Sequence, residues 1–136
     1  MVENLSVTED NVDSPATRID EYPVEFHAKG WGHESWLANS PLYCGKLLFF
    51  KKGLRCSFHY HKLKTETFYL QSGKLLIKFS NIDDLQTAQS RIMLPGENMQ
   101  IFPGLRHQMI ALEDSELFEF STQHFEDDSY RVVRGD

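Results

Sequence analysis

The stretch GLRCSFHYHKLKTETFYLQSG, residues 53–73, holds two histidines one residue apart, a glutamate five positions later and a glycine at each end. In a β-strand, side chains two residues apart point to the same side. His59 and His61 therefore share one side of a predicted strand with Arg55 and Ser57. If the apolar residues between them pack between sheet layers, both imidazoles face an enclosed lumen.

Two more residues of metal-ligand type accompany the histidine pair. Glu66 follows the turn KLKT, and on a neighbouring antiparallel strand it would return to the level and side of His61. The later stretch PGENMQIFPGLRHQMIALED turns at two glycines and then places His107 at the start of a strand. Burying imidazoles and a carboxylate together without a cation is costly, whereas they are good ligands for a divalent metal. The predicted metal ligands are His59, His61, Glu66 and His107.

Length and charge limit the classes of protein that this chain can represent. The chain has 136 residues, enough for one domain, with 40% hydrophobic and 25% charged residues. Of its net charge of −6, residues 1–21 carry −5. The rest is nearly neutral and has no basic stripe for a phosphate backbone, so we expect no nucleic-acid binding.

The chain shows no sign of export or membrane insertion. Its N-terminus lacks the basic start and apolar stretch of a secretory signal, and no apolar run is long enough to cross a bilayer. The two cysteines, Cys44 and Cys56, are too few for a disulfide framework and are predicted to be reduced packing residues. We expect a cytoplasmic protein without membrane contact.

The residue pattern predicts an all-β domain over residues 21–136, preceded by an acidic N-terminal segment over residues 1–20 that is either a flexible tail or an arm that docks on the domain. Gly73 is predicted to form a hairpin turn with positive φ, and SNIDDLQTAQS a long loop. Such short strands bury their faces either as two packed sheets or as a closed barrel, and a jelly roll satisfies both descriptions. The predicted strands cover residues 43–51, 54–61, 65–71, 74–80, 91–94, 98–102, 106–112 and 115–122.

The spacing of these residues resembles that of the cupin superfamily. The matching positions are Gly53, His59, His61, Glu66 and Gly73 in a first motif, then Gly96, Gly104 and His107 in a second. One departure is Phe102, where the family usually has proline, although Pro103 follows directly. The resemblance implies a single-domain jelly-roll β-barrel with one divalent metal ion, which the sequence does not identify among zinc, manganese, iron, nickel and cobalt.

A narrower resemblance covers about residues 29–134. The stretches KGWGHESWLANSPLYCGKLLFFKKG and ELFEFSTQHFEDDSYRVVRGD are similar to the C-terminal isomerase domain of bifunctional mannose-1-phosphate guanylyltransferase and mannose-6-phosphate isomerase enzymes. Arg131 stands where that family has an arginine, but His59 replaces its usual glutamine, and the chain has no nucleotidyltransferase domain. The stretch HYHKLKTE also resembles the metal motif of cupin lyxose isomerases, with Lys64 at a lysine position.

These resemblances imply a metal-dependent isomerase that interconverts an aldose and a ketose, either a sugar or a sugar phosphate. Two free metal positions would chelate the carbonyl and hydroxyl oxygens of an open-chain sugar and acidify the carbon between them. Lys64 and Glu97 are the candidate general bases. Three arginines, Arg55, Arg106 and Arg131, are candidates to bind a substrate phosphate or carboxylate.

Two other functions fit the same residues. An Fe(II)-dependent dioxygenase would use the two free metal positions for oxygen and a chelating substrate. A non-catalytic binding module would recognise a small molecule or carbohydrate without turnover. For any of the three we expect a homodimer, because an exposed edge strand invites pairing between copies.

Overall fold

The computed structural model describes residues 19–136, and this part of the chain consists of β-strands, turns and loops without a helix. It therefore contains no helix long and apolar enough to cross a membrane. The predicted arm over residues 1–20 lies almost wholly outside the described residues. The strands are β1 (Glu25–Lys29), β2 (Gly32–Asn39), β3 (Cys44–Phe50), β4 (Phe58–Tyr60), β5 (Glu66–Ser72), β6 (Leu75–Ser80), β7 (Gln89–Met93), β8 (Asn98–Ile101), β9 (Arg106–Ala111), β10 (Ser115–Ser121) and β11 (Tyr130–Val133).

The strands form two antiparallel sheets that pack face to face as a jelly-roll sandwich. One sheet has six strands in the order β1-β2-β3-β10-β5-β8, and the other has five in the order β11-β4-β9-β6-β7. No strand pairing within residues 19–136 joins the two sheets into a closed barrel. The all-β jelly-roll prediction is confirmed, in the form of a sandwich.

The core lies between the two sheets because the strands alternate between buried and partly exposed residues. In β3, for example, Leu48 and Phe50 point inward and are almost fully buried, whereas Leu47 and Phe49 point outward and are only partly covered. Each fully buried aliphatic or aromatic side chain contributes roughly 1.5–3 kcal/mol to stability. Cys44 and Cys56 are buried and unpaired, as predicted.

The predicted strands correspond to β3 through β10, and the structure adds three strands that the sequence did not reveal. The inward positions of β1 and β2 are largely polar, among them His27 and Glu34, so these strands lack the alternation that marks a half-buried strand. The third addition, β11, is only four residues long and has no buried residue. The region predicted as one strand over residues 54–61 is regular only over Phe58–Tyr60.

Gly73 has the predicted positive φ, at 93°, but the turn is not a hairpin. The strands on either side, β5 and β6, belong to different sheets, so the chain crosses from one layer of the sandwich to the other at this point. The crossing brings the backbone of residues 73–74 against the start of β10. Lys74 donates its backbone N–H to the Ser115 hydroxyl at 2.9 Å.

We expect Gly73→Ala to destabilise the fold by about 3 kcal/mol or more. An alanine Cβ would lie 2.6 Å from the Ser115 Cα, and φ is in the left-handed region that costs about 1–2 kcal/mol by itself. Gly96 is a matched control, because its φ is 87° but no atom lies within 4 Å of an added Cβ. Urea unfolding should show Gly96→Ala to be only about 1–2 kcal/mol less stable. Equal losses in the two variants would contradict this account of Gly73.

Candidate metal centre

Three histidines meet at the inner side of the five-stranded sheet. His59 lies on β4 directly opposite His107 on β9, and His61 follows the end of β4. One ligand nitrogen from each of the three lies within 4.8 Å of the other two. His61 and His107 are buried, and His59 is partly buried. This cluster can bind a metal ion.

The backbone fixes the orientation of all three rings. In each ring Nδ1 lies within hydrogen-bond distance of a backbone carbonyl, so it carries the proton and donates it. The neutral ring then has its lone pair on Nε2, the atom left free to bind a cation. The carbonyl partners of His59, His61 and His107 are Ser57, Asp128 and Leu105, at 2.9, 2.7 and 2.9 Å.

Glu66 approaches the histidines from the opposite sheet. Its Oε1 lies 3.6 Å from His61 Nε2, and its Oε2 lies 3.4 Å from His107 Nε2. The expectation that Glu66 begins a strand beside the His61 strand is wrong, because β5 belongs to the six-stranded sheet and β4 to the five-stranded one. The carboxylate reaches the same point across the interior of the sandwich.

Two unsatisfied atoms in this cluster fit a bound cation. Glu66 Oε2 and His107 Nε2 are buried and lack a hydrogen-bond partner, although such groups are nearly always paired. Ligands bound to one cation at about 2.1 Å and at right angles are about 3 Å apart. The observed gaps of 3.4 and 3.6 Å are close to that separation, so a divalent ion would satisfy both atoms.

The environment acts differently on the three imidazoles. Burial lowers the pKa of His59 well below its usual value and also lowers the pKa of His61. Burial opposes protonation of His107 too, but the nearby Glu66 carboxylate, 3.4 Å from its Nε2, outweighs that effect and raises the pKa of His107. Glu66 therefore attracts positive charge to Nε2 of His107, where a proton and a metal ion would compete.

Asp128 holds the loop that follows the histidine pair. Its carboxylate accepts hydrogen bonds from three consecutive backbone N–H groups at 2.8–3.2 Å, those of Lys62, Leu63 and Lys64. Its own carbonyl receives the Nδ1–H of His61. The sequence did not reveal this role, because an acidic run such as residues 126–128 is typical of a solvated tail, whereas Asp128 is only 3% exposed.

Replacing Asp128 should therefore weaken both the fold and the candidate metal centre. We expect Asp128→Ala to lower the free energy of unfolding by about 3 kcal/mol, because three backbone donors lose a charged acceptor. Alanine keeps the backbone carbonyl that orients His61 but no longer holds the loop after it, so calorimetric titration with Zn²⁺ or Mn²⁺ should show an affinity about 10-fold lower. Asp127→Asn, at the exposed neighbour, is the control and should leave both quantities unchanged.

A second buried polar cluster adjoins the histidines. Lys64 Nζ donates to Glu119 Oε2 at 3.1 Å and to His124 Nδ1 at 2.8 Å, and it lies 3.6 Å from Glu66 Oε1. Burial alone would lower the pKa of Lys64, but the carboxylates of Glu119 and Glu66 raise it. The ammonium group is therefore a fixed positive charge beside the candidate metal centre.

The same cluster determines the charge states of Glu119 and His124. Burial would raise the pKa of Glu119, but the charges of Lys64 and Lys46, with hydrogen bonds from Ser121 and Lys64, lower it to about 2. Burial and the same two lysine charges lower the pKa of His124 to about 3. At neutral pH, Glu119 is ionised and His124 is uncharged.

Glu119 should make the stability of the fold depend on pH in acid. Its pKa is about 2 in the folded chain against an ordinary 4.5, so its contribution is complete above pH 4.5 and is lost as pH falls towards 2. The free-energy gap between wild type and Glu119→Gln should narrow by about 3 kcal/mol over that range. Urea unfolding at several pH values measures the gap, and a gap independent of pH would contradict the assignment.

A polar cavity of about 480 Å³ opens between the sheets beside the histidines. Of the predicted site residues, His59, His61, Lys64 and Arg131 line it. On β11, Arg131 is paired directly with His59, so the two side chains are neighbours on one side of the sheet. Glu34, Lys46, Glu119, His124 and Glu126 also line the cavity, although sequence analysis proposed none of them for the site.

Glu66 and His107 belong to the adjoining histidine cluster and do not line the cavity, and the structure does not bring the remaining three predicted residues to it. Glu97 lies in the turn between β7 and β8, where it accepts the N–H of Leu94 at 2.6 Å. Arg106 packs over the ring of Tyr60 and donates to Asp83 at 2.7 Å, on the outer side of the sheet. Arg55 is exposed, and none of the three is among the cavity-lining residues.

Comparison with known proteins relates the chain to others by structure. No protein-family model matches it, and no curated protein sequence matches it significantly. CapF from Staphylococcus aureus, a capsular polysaccharide assembling protein, has a TM-score of 0.72 at 21% identity over 88% of this chain and 34% of CapF. The chain therefore spans about a third of the length of CapF.

Two further solved structures are similar. KdgF from Halomonas sp. has a TM-score of 0.64 at 17% identity, covering 76% of this chain and 91% of KdgF. Oxalate decarboxylase from Bacillus subtilis has a TM-score of 0.68 at 17% identity, covering 79% of this chain and 30% of the enzyme. These neighbours have the cupin fold, so the chain has the fold that the sequence motifs implied. At such identities the similarity establishes the fold and leaves the reaction open.

Proposed function

We propose that the chain is a metal-dependent isomerase that interconverts an aldose and a ketose, with a sugar or sugar phosphate as substrate. The observation that carries the proposal is the convergence of three Nε2 atoms and the Glu66 carboxylate at the edge of a polar cavity. The resemblance to mannose-6-phosphate isomerase domains supports the sugar-phosphate class. The free, buried cysteines support the expectation of a reducing compartment such as the cytoplasm.

The ligands of the metal would be His59, His61, Glu66 and His107. A bound divalent cation would polarise the carbonyl and hydroxyl oxygens of an open-chain sugar. CapF supports this class of ligand, since it has been crystallised with the inhibitor 3-isopropenyl-tropolone, whose adjacent carbonyl and hydroxyl oxygens have the same chelating arrangement.

The charges around the cavity favour an anionic substrate. Glu119 neutralises Lys64, and Glu34 contacts Lys46 at 3.4 Å, so these lysines are already paired. A divalent cation with Glu66 would leave a charge of +1, and Arg131 beside His59 adds a second positive charge. We assign to Arg131 the binding of the substrate phosphate or carboxylate by its guanidinium fork.

Proton transfer needs a base other than Lys64, because its raised pKa keeps the ammonium group protonated. The role of the Lys64 ammonium group would be to stabilise the negative charge that develops on the substrate oxygen. Three of the carboxylates that line the cavity already have partners. Glu34 and Glu119 are paired with lysines, and Asp136 accepts the backbone N–H of Arg55 at 2.8 Å. By elimination we assign to Glu126 the transfer of the proton between the two substrate carbons.

The test begins with elemental analysis of gently purified protein, followed by a screen of aldose and ketose phosphates for interconversion. We expect about one divalent ion per chain and turnover of at least one pair. Glu126→Gln should reduce kcat by about 100-fold or more, and Arg131→Gln should raise KM for a phosphorylated substrate. The controls are Asp127→Asn and Arg55→Gln, which change neighbouring or similar groups outside the cavity lining.

The results separate the alternatives. Oxygen consumption with Fe(II) would identify a dioxygenase instead. Binding of sugars without product would identify a non-catalytic module, a second candidate favoured by the pairing of Glu34 and Glu119 with lysines, which leaves few free bases in the cavity. Protein that retains its fold but neither contains nor binds a divalent ion would refute the isomerase and the metal site together.

A further inference from the structure

The outer face of the six-stranded sheet is almost without charge. Directly paired residues on antiparallel strands lie on the same side of a sheet. One row of such pairs crosses all six strands and contains no charged residue. In the two rows that flank it, Glu116 is the single charged residue among the described pairs. The central row consists of Phe26, Ser35, Leu47, Phe118, Tyr69 and Asn98.

Aromatic rings on this face are exposed and cluster together. Phe26 is 64% exposed and Phe120 is 56% exposed. Phe120 lies beside Phe118, with ring centroids 6.1 Å apart, and Phe26 contacts His33 at 4.9 Å. The outer face of the other sheet differs, because Lys78 and Arg106 project from it. A sheet face that stays in water usually carries charged residues, so this nearly uncharged face with exposed aromatic rings is expected to be covered.

We propose that a second copy of the chain covers this face, so that two six-stranded sheets pack back to back in a homodimer. A nearly uncharged face with exposed aromatic rings and uncharged polar residues is compatible with a second copy of itself under two-fold symmetry, whereas a charged partner would find almost no opposite charges here. Sheets pack face to face about 10 Å apart, a spacing that interdigitating Phe and Tyr side chains fill.

The face is large enough for a small dimer interface. Five strand spacings of about 4.8 Å and three rows about 7 Å apart give a flat footprint of roughly 24 by 20 Å, or about 480 Å². This is less than the ~800 Å² per partner of a standard interface, and the additional surface of the protruding aromatic rings makes up part of the difference. The inference is independent of the proposed function, because it rests on the opposite side of the sheet from the cavity.

Light scattering or sedimentation of the full chain, from about 1 to 100 μM, tests the proposal. The wild type should have twice the monomer mass of 15.8 kDa. Phe26→Glu and Phe120→Glu should each raise the dimer dissociation constant about 30-fold or more, since each places two carboxylates in one apolar interface. Ile92→Glu is the matched control, an apolar residue 48% exposed on the edge strand β7 of the other sheet, and it should remain dimeric.

Circular dichroism of each variant, recorded alongside, shows whether the fold is retained. Phe26 and Phe120 lie on different strands, so a folding defect in one variant need not occur in the other. If only one of the two variants folds, its mass is enough to test the proposal. A wild-type monomer at 100 μM would overturn the proposal. A dimer unaffected by both glutamates, or one that only Ile92→Glu dissociates, would overturn it in favour of edge pairing.

Discussion

The candidate metal centre depends on hydrogen bonds from three imidazole Nδ1 atoms to backbone carbonyls. An imidazole without such a bond could rotate or carry its proton on either nitrogen. The carbonyls of Ser57, Leu105 and Asp128 fix both the ring orientation and the position of the proton. The three Nε2 atoms are therefore left free and point towards one place. Two of the carbonyls come from the same strand region as their histidine, but Asp128 comes from the far end of the chain.

Asp128 therefore connects the local order of the histidine motif to the overall fold. The residues after His61 must leave the five-stranded sheet and cross the sandwich to bring Glu66 into the opposite sheet. The Asp128 carboxylate supplies the acceptors that the backbone N–H groups of this crossing would otherwise lack. The C-terminal residues thus stabilise the positions of ligands more than 60 residues earlier.

Sequence patterns predicted the parts of the molecule that follow short-range rules. Alternation identified eight strands, and fixed spacings identified the histidines and Glu66 that the structure brings together. Patterns did not reveal which strands pair, so they placed Glu66 on a strand beside His61 and made Gly73 a hairpin. The choice between a hairpin and a crossing depends on how the strands of residues 19–136 pair as a whole, which no local stretch encodes.

The missed cavity residues have a related cause. Lys46 and Glu119 occupy inward positions of β3 and β10, and a charged residue at such a position reads as a break in the apolar pattern. Each charge is buried because a partner from another strand or loop neutralises it, Glu34 for Lys46 and Lys64 for Glu119. Removing one member would leave the other charge buried and unpaired. Neither residue of a pair can therefore be replaced alone without a large loss of stability.

The strands β3 and β10 each have one side towards the polar cavity and the other side on the nearly uncharged outer face. On β10, Glu119 points into the cavity, while its neighbours Phe118 and Phe120 point outward. A strand that buries both sides is held more rigidly than one with a side in water, since its side chains have packing partners on each face. A second copy on the outer face would thus make the wall that carries Glu119 and Lys46 more rigid. The exposed aromatic residues would then affect the geometry of the cavity without contacting its ligand.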